Sequence, residues 1–197
     1  MILLIIRHGE SEADLLKVHE GRADYPLTER GHKQAEMMST YVNEHYTVNK
    51  IYSSTLQRAM STAKSLSNKA GVDIVPMDDL QEFNNGLLAG LGFEEADMRY
   101  PQIKDLPIDK AVYEMESILS FRTRADRVLN QIISENNANQ TVAIISHGKM
   151  INQLYASFLG LPVDNKCLFI SSDVCIHVLK IVNDRRVVLQ SNYTDYK

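Results

Sequence analysis

The sequence predicts an α/β protein, a three-layer α/β/α sandwich around a mostly parallel central sheet. Three observations carry the prediction. Ile2-Leu3-Leu4-Ile5-Ile6 is a short unbroken apolar run that leads straight into Arg7-His8-Gly9, and Thr141-Val142-Ala143-Ile144-Ile145 leads in the same way into Ser146-His147-Gly148. Such runs read as strands buried on both faces. Between and around them lie stretches with apolar residues at steps of three and four. Strands that alternate with amphipathic helices pack as a sheet covered on both sides.

The elements follow in order. After Arg7-His8-Gly9, the stretch from Glu10 to Pro26 is polar, holds Gly21, and reads as an irregular loop. Structureless loops of that length in compact domains usually carry function. Thr28 is an N-cap for a helix over 29–45, with Ala35, Met38, Val42 and His45 at helical spacing. Ile51-Tyr52-Ser53 reads as a second strand. Ser53 or Ser54 is expected to cap the next helix, whose buried stripe is Ala59, Ala63, Leu66 and Ala70, with Gly71 as its C-terminal stop. Val72, Ile74 and Val75 make a third strand ended by Pro76. Residues 77–115 are irregular, with Gly86, Gly90, Gly92, Pro101 and Pro107. They are expected to form an excursion over the C-terminal edge of the sheet, with one short helix near Glu94–Arg99. A helix resumes at Ser117 with Ile118, Phe121, Ala125, Val128 and Ile132 and stops at the asparagines 136, 137 and 139. After the Thr141–Ile145 strand, Ile151, Leu154, Tyr155 and Phe158 mark another helix, ended by Gly160 and Pro162. The tail reads as a hairpin, Val174 to Val182, a turn at Asn183-Asp184-Arg185, then Val187 to Gln190. The length suits a single domain over residues 1–197, with the excursion covering its active site.

Composition excludes several classes of function. The net charge of −4 provides no global basic field, so neither nucleic acid nor an anionic membrane surface is an expected partner. No apolar run approaches the roughly 20 residues that a membrane span needs. The chain enters its core at residue 2, which leaves no room for a signal peptide. Cys167 and Cys175 have no metal-ligand company and read as thiols in a reducing, cytoplasmic compartment. The sequence leaves a homodimer open.

What remains is a local site. If the two apolar strands are parallel neighbours, His8 and His147 meet in one crevice, with Arg7 beside them. The helix after Tyr52-Ser53-Ser54 delivers Arg58 from its first turn. Two arginines and two histidines at a sheet edge suit a phosphate-sized anion, because guanidinium forks match phosphate oxygens in pairs. The N-termini of the helices after Ser53 and His147 are expected to add backbone N–H donors. His19, His32, His45 and His177 have no such company and read as surface or packing residues. Arg122, Arg124 and Arg127 read as residues on the solvated side of their helix.

Arg7-His8-Gly9-Glu10-Ser11, with Gly21, Asp24, Leu27-Thr28, Gly31 and Gln34-Ala35 after it, resembles the signature of the histidine phosphatase superfamily, the phosphoglycerate mutase-like fold. Ser53-Ser54-Thr55-Leu56-Gln57-Arg58-Ala59 is similar to its second-arginine segment, Gln81-Glu82-Phe83-Asn84-Asn85-Gly86 to its Glu-x-x-x-Gly segment, and Ser146-His147-Gly148 to its second histidine. The blocks stand in family order over most of the chain. The resemblance implies hydrolysis of a small phosphorylated substrate by double displacement, with no metal and no cofactor. His8 would become a phosphohistidine. Arg7, Arg58 and His147 would hold the phosphoryl oxygens, and Glu82 would protonate the leaving oxygen and then help deprotonate water. Ser11, Asp14, Gly148 and, at the rim, Arg22 would contact substrate.

The chain departs from the family in three places. Ala13-Asp14 stands where members often carry Trp-Asn, so Asp14 is expected either to turn away or to recognise a cationic or hydroxylated group. Leu87-Leu88-Ala89-Gly90 replaces a Trp-Glu-Gly, which implies a more apolar wall. The chain also ends at Lys197, soon after its hairpin, whereas the mutases carry a further C-terminal segment. This favours hydrolysis over the two alternatives, a cofactor-dependent phosphoglycerate mutase and a non-catalytic phosphate-binding regulatory module.

Overall fold

The structure, a computed structural model, describes residues 1–196. Its sheet has the strands β1 (Ile2–Arg7), β2 (Lys50–Ser53), β3 (Ile74–Pro76), β4 (Thr141–Ser146), β5 (Ile176–Val182) and β6 (Arg185–Tyr193), in the spatial order β3-β2-β4-β1-β5-β6. β1, β2, β3 and β4 run parallel, whereas β5 and β6 are antiparallel additions at one side. The helices are α1 (Glu12–Leu16), α2 (Glu29–His45), α3 (Gln57–Ala70), α4 (Phe93–Arg99), α5 (Ile118–Glu135) and α6 (Gly148–Phe158).

The apolar runs are unbroken because each strand feeds two cores. Successive side chains of a strand point to opposite faces. Leu3 and Ile5 of β1 and Val142 and Ile144 of β4 pack with Phe121, Val128 and Ile132 of α5 and Ile151, Leu154 and Phe158 of α6. Leu4, Ile6, Ala143 and Ile145 pack on the other face with Met38 and Val42 of α2 and Ala59, Ala63 and Leu66 of α3. Leu3, Leu4, Ile5 and Ile6 are all fully buried, each contributing roughly 1.5–3 kcal/mol of apolar burial. This is the three-layer sandwich that the sequence predicts.

Local signals explain most boundaries. Thr28 Oγ1 accepts from the Gly31 N–H at 2.9 Å and starts α2, and Ser117 Oγ accepts from the Ser120 N–H at 3.1 Å and starts α5. Gly71 ends α3 with φ +67°, a left-handed conformation that suits glycine. The hairpin turns at Asn183 and Asp184, both at positive φ, and β6 already includes Arg185 and reaches Tyr193, beyond the predicted Gln190.

Some expectations fail. α3 begins at Gln57, with Leu56 rather than Ser53 or Ser54 in the cap position, because Ser54 has another task at the active site. The loop from Glu10 to Pro26 contains the short helix α1. Ile118 is exposed rather than part of the α5 stripe. Arg122 and Arg124 are buried, not solvated. Arg122 donates to Leu161 O at 2.7 Å and to Asp126 Oδ1 at 2.8 Å. Asp126 is its i, i+4 neighbour, but Leu161 O comes from beyond α6, where helical periodicity cannot show it. Arg127 is exposed as expected, in a bidentate pair with Asp79. No helix among the described residues is long and apolar enough to cross a membrane.

Candidate active site

The floor of the site is set by strand register. β1 and β4 pair in parallel with Arg7 opposite Ser146, and the His8 N–H donates to Ser146 O at 3.1 Å. The next residues, His8 and His147, therefore leave the sheet side by side, with ring centroids 5.0 Å apart. Both are buried. Gly9 is required behind them, because a Cβ there would overlap the backbone of Gly31.

His8 has one ring nitrogen committed. Its Nδ1 lies 2.7 Å from Gly9 O. A carbonyl only accepts, so Nδ1 carries the proton and Nε2 holds a lone pair. Arg58 Nε donates to that Nε2 at 3.3 Å. Burial, then the charges of Arg58 and Arg7, push the His8 pKa well below the usual 6.5, with a small opposing effect from Gly9. The ring is a neutral imidazole whose Nε2 lone pair points into the site. His147 is held similarly low by burial and by Arg58, His8, Arg7 and Arg124. Its Nε2 is 2.7 Å from Ser54 Oγ, which also accepts from the Leu56 N–H at 3.3 Å. Ser54 can then donate its own proton to Nε2, which leaves Nδ1 as an N–H. That Nδ1 is buried and has no partner among the described residues.

Arg58 is fully buried. Besides His8, it donates to Ala23 O at 3.0 Å and to Gly21 O at 2.8 Å, which ties down the loop after α1. Arg7 donates to Ser171 O at 2.9 Å and stands 3.3 Å from Asp173, while its Nε has no hydrogen-bond partner among the described residues. Glu82 arrives from the excursion. Its carboxylate accepts from the N–H groups of Phe83 at 2.7 Å, Lys149 at 3.1 Å and Met150 at 3.2 Å. The N–H donors at the start of α6 expected to face phosphate are thus occupied by Glu82, in the usual place for an anion at a helix N-terminus.

The segment that carries Glu82 is fastened by Arg124, which donates to the backbone oxygens of Asp79 at 2.8 Å, Gln81 at 2.7 Å and Glu82 at 3.2 Å, and to Glu116 at 2.6 Å. The remaining expected substrate residues lie apart from the cavity, except Gly148. Ser11 Oγ is hydrogen-bonded to Asp14 and Glu20. Asp14 turns back and accepts from the Ser11 N–H at 2.9 Å, closing the first turn of α1. Arg22 leans 4.0 Å from Glu116.

Glu20 is the residue that the sequence reading missed. Its carboxylate stands 3.2 Å from Arg58 Nε and 3.8 Å from His8 Nε2. Nothing in a stretch without periodicity marks it. Burial pushes its pKa up, and Asp14 adds to this, against lowering by Arg58, Ser11 and Arg7.

Part of this cluster opens onto a cavity of about 540 Å³, whose lining also includes Asn152, Gln153 and Ser171, while Arg58 and His147 are buried behind it. Arg7, His8, Glu20 and Glu82 are its polar end, and Phe83, Ile118, Phe121, Leu168, Phe169 and Ile170 its apolar wall. Lys149 crosses the mouth with its ammonium 5.2 Å from the Phe83 ring. Among the described residues no group of three or more His, Cys, Asp or Glu could hold a metal ion.

Comparison with known proteins fits this arrangement. Residues 3–194 match the histidine phosphatase superfamily (branch 1). The chain is 28% identical to phosphoserine phosphatase 1 of Hydrogenobacter thermophilus, over 98% of this chain and 92% of that one. It is 31% identical to the uncharacterized phosphatase PhoE of Bacillus subtilis, over 79% and 76% of the two chains. The mycobacterial glucosyl-3-phosphoglycerate phosphatase, solved with vanadate, shares the fold with a TM-score of 0.87 at 24% identity, over 98% of this chain and 99% of that one. With its two histidines delivered by neighbouring parallel strands and the family pattern running from residue 3 to residue 194, the chain belongs to branch 1 of the histidine phosphatase superfamily.

Proposed function

We propose that the chain hydrolyses phosphomonoesters of largely apolar alcohols through a phosphohistidine on His8. The observation that carries this is the state of His8. It is a neutral imidazole with Nδ1 spent on Gly9 O, so Nε2 holds the lone pair that attacks phosphorus once Arg58 Nε turns from it to the phosphoryl oxygens. In the first step Nε2 forms the N–P bond as the ester P–O bond breaks. Arg7, Arg58 and the Nδ1–H of His147 receive the non-bridging oxygens. Glu82, once it has taken a proton from solvent, gives that proton to the departing alkoxide. In the second step water attacks the phosphohistidine, its proton passes to Glu82, and His8 and phosphate are released.

The alcohol's character follows from the wall. Six apolar side chains line the cavity beyond the phosphoryl end, and Lys149 is the cation at its mouth. Lys149, Asn152, Gln153 and Ser171 can meet one polar group of the alcohol, but further charges would be desolvated against phenylalanine and isoleucine, which is costly without paired partners. The test uses 1-naphthyl phosphate beside phosphoserine and 3-phosphoglycerate. The naphthyl ester is expected to give the highest kcat/KM, and a short incubation to leave acid-labile, base-stable phosphate on the protein. Both turnover and label disappear in His8→Ala. Equal or greater activity on phosphoserine would overturn the apolar preference, and turnover that survives His8→Ala would overturn the nucleophile.

A further inference from the structure

Glu20 stands where the reaction has no evident use for a negative charge. Its two carboxylate oxygens lie 3.2 Å from Arg58 Nε and 3.8 Å from His8 Nε2. A phosphorus atom in line for attack must come to within about 3–3.5 Å of that Nε2. At least one non-bridging oxygen then meets a Glu20 oxygen. The backbone cannot withdraw. Val18 and Gly92 form a bridge, the His19 N–H donates to Leu91 O at 2.8 Å, and the Gly90 N–H donates to His19 O at 2.8 Å. On the other side, Arg58 holds Gly21 O and Ala23 O. Only the Glu20 side chain can adjust.

The charges around it decide what it does. From the end of β1 come Arg7 and the neutral His8, with neutral His147 behind it from β4. From α1 come the Ser11 hydroxyl and Asp14, from α3 comes Arg58, and from across the cavity comes Glu82. Two arginines match a phosphoryl dianion. They do not match a dianion and an ionised Glu20 together, in a pocket where Glu20 is mostly shielded from water. Two oxygens in contact with no hydrogen between them repel, whereas a carboxylic acid facing a phosphoryl oxygen makes a short charge-assisted hydrogen bond.

We infer that Glu20 is a phosphoryl ligand that acts in its protonated form, so the substrate dianion enters together with one proton. The proton comes from solvent, rests on a Glu20 oxygen, and is donated as a hydrogen bond to a non-bridging phosphoryl oxygen. It returns to solvent when phosphate leaves. This rests on the phosphatase reading above and adds a proton to its substrate complex. The raised pKa of Glu20, with burial as its first cause, has the required direction.

Sulfate is the suitable probe, because it stays a dianion across the range in which proteins fold and adds no titration of its own. Its affinity is measured by calorimetry between pH 5 and pH 8.5 for wild type, Glu20→Gln and Glu20→Ala, alongside naphthyl phosphate turnover. Wild type is expected to bind most tightly at acid pH. Above the pKa of free Glu20 its affinity falls by about tenfold per pH unit. Glu20→Gln, which keeps a donor and has no charge, should bind at all pH values about as tightly as wild type does at pH 5. Glu20→Ala should also be flat with pH, but about tenfold weaker for want of the donor. A wild-type profile that Glu20→Gln leaves unchanged overturns the inference. So does Glu20→Ala binding as tightly as Glu20→Gln, which would make Glu20 a plain obstruction. The phosphatase reading fails separately, by absence of His8-dependent turnover in wild type.

Discussion

The floor and the walls of this site are built by different means. On the floor, Arg7 ends β1 and His8 and His147 sit one residue beyond two strands in fixed register, with the backbones of Arg7 and His8 held by bonds to neighbouring strands and loops of the sheet. In the walls, Glu20 and Glu82 ride on irregular chain, and their places depend on side chains that reach from elsewhere. Arg58 holds the Glu20 loop and Arg124 holds the Glu82 segment. Chemistry that the sheet delivers is robust and readable from local pattern. Chemistry that the loops deliver depends on single long-range contacts, so it is where substitutions far from the reacting atoms should tell most.

The largest effect should come from breaking the wall at Arg124. Arg124→Met removes five hydrogen bonds that fasten Asp79, Gln81, Glu82 and Glu116. Misplacing Glu82, the proposed general acid, should lower kcat about a hundredfold on an alkyl phosphate, whose alkoxide needs a proton as it leaves. On 4-nitrophenyl phosphate, whose leaving group needs none, the loss should be tenfold or less. An equal loss on both substrates would mean that Arg124 only stabilises the fold. Stability should also drop, by up to about 3–5 kcal/mol, because Glu116 is left partly buried with only the Asn84 N–H and Arg22 at 4.0 Å to face its charge. Chemical denaturation measures this part directly.

A smaller effect should come from the floor. Ser54→Ala takes away the partner of His147 Nε2 at 2.7 Å. The ring stays in place, held by its position at the start of α6, but its tautomer is no longer fixed. A loss of about tenfold in kcat/KM is expected, with little change in melting temperature. Comparable losses for Ser54→Ala and Arg124→Met on the alkyl ester would erase the distinction between floor and wall.

The effect that touches turnover least, and the one that best sharpens the comparison, is acid instability. The pKa values of His8, His147 and His177 are all lowered by burial, that of His177 to about 4. A lowered histidine contributes stability that is intact above its unfolded value near 6.5 and lost as pH falls toward its folded value. Each can cost up to about 1.4 kcal/mol per pH unit in that window. Glu20 in the wall works in the other direction, because a raised carboxyl favours the folded form as pH falls. Denaturation midpoints at pH 7 and pH 5.5 should therefore show a fall in wild type, and a steeper one in Glu20→Gln.

The same division explains what could be read from the sequence. Two apolar runs ending in Arg-His-Gly and Ser-His-Gly announce buried strands and place His8 and His147 together, because strand periodicity and sheet burial are local signals. Arg58 is legible as a first-turn residue of α3, although the cap is not. Ser54 looks like a helix cap by residue type and is instead spent on His147, a partner far along the chain. Arg122 and Arg124 look solvated because helical spacing cannot show that a backbone carbonyl from another segment waits beside them. Glu20 offers no signal at all, since its meaning comes only from Arg58 and His8 arriving next to it.

The bridge between Val18 and Gly92 has a consequence for how such an enzyme could change its diet. The loop that carries Glu20 and the excursion that carries Glu82 are separate in sequence but mechanically one lip. Gly21 reinforces this, since a Cβ there would run into the Asn85 side chain. An alteration selected on one segment is felt by the other, so variants with a new choice of alcohol should carry changes on both sides of the bridge. The strand ends beneath can stay as they are, which lets a lineage explore substrates while its phosphoryl chemistry stands still.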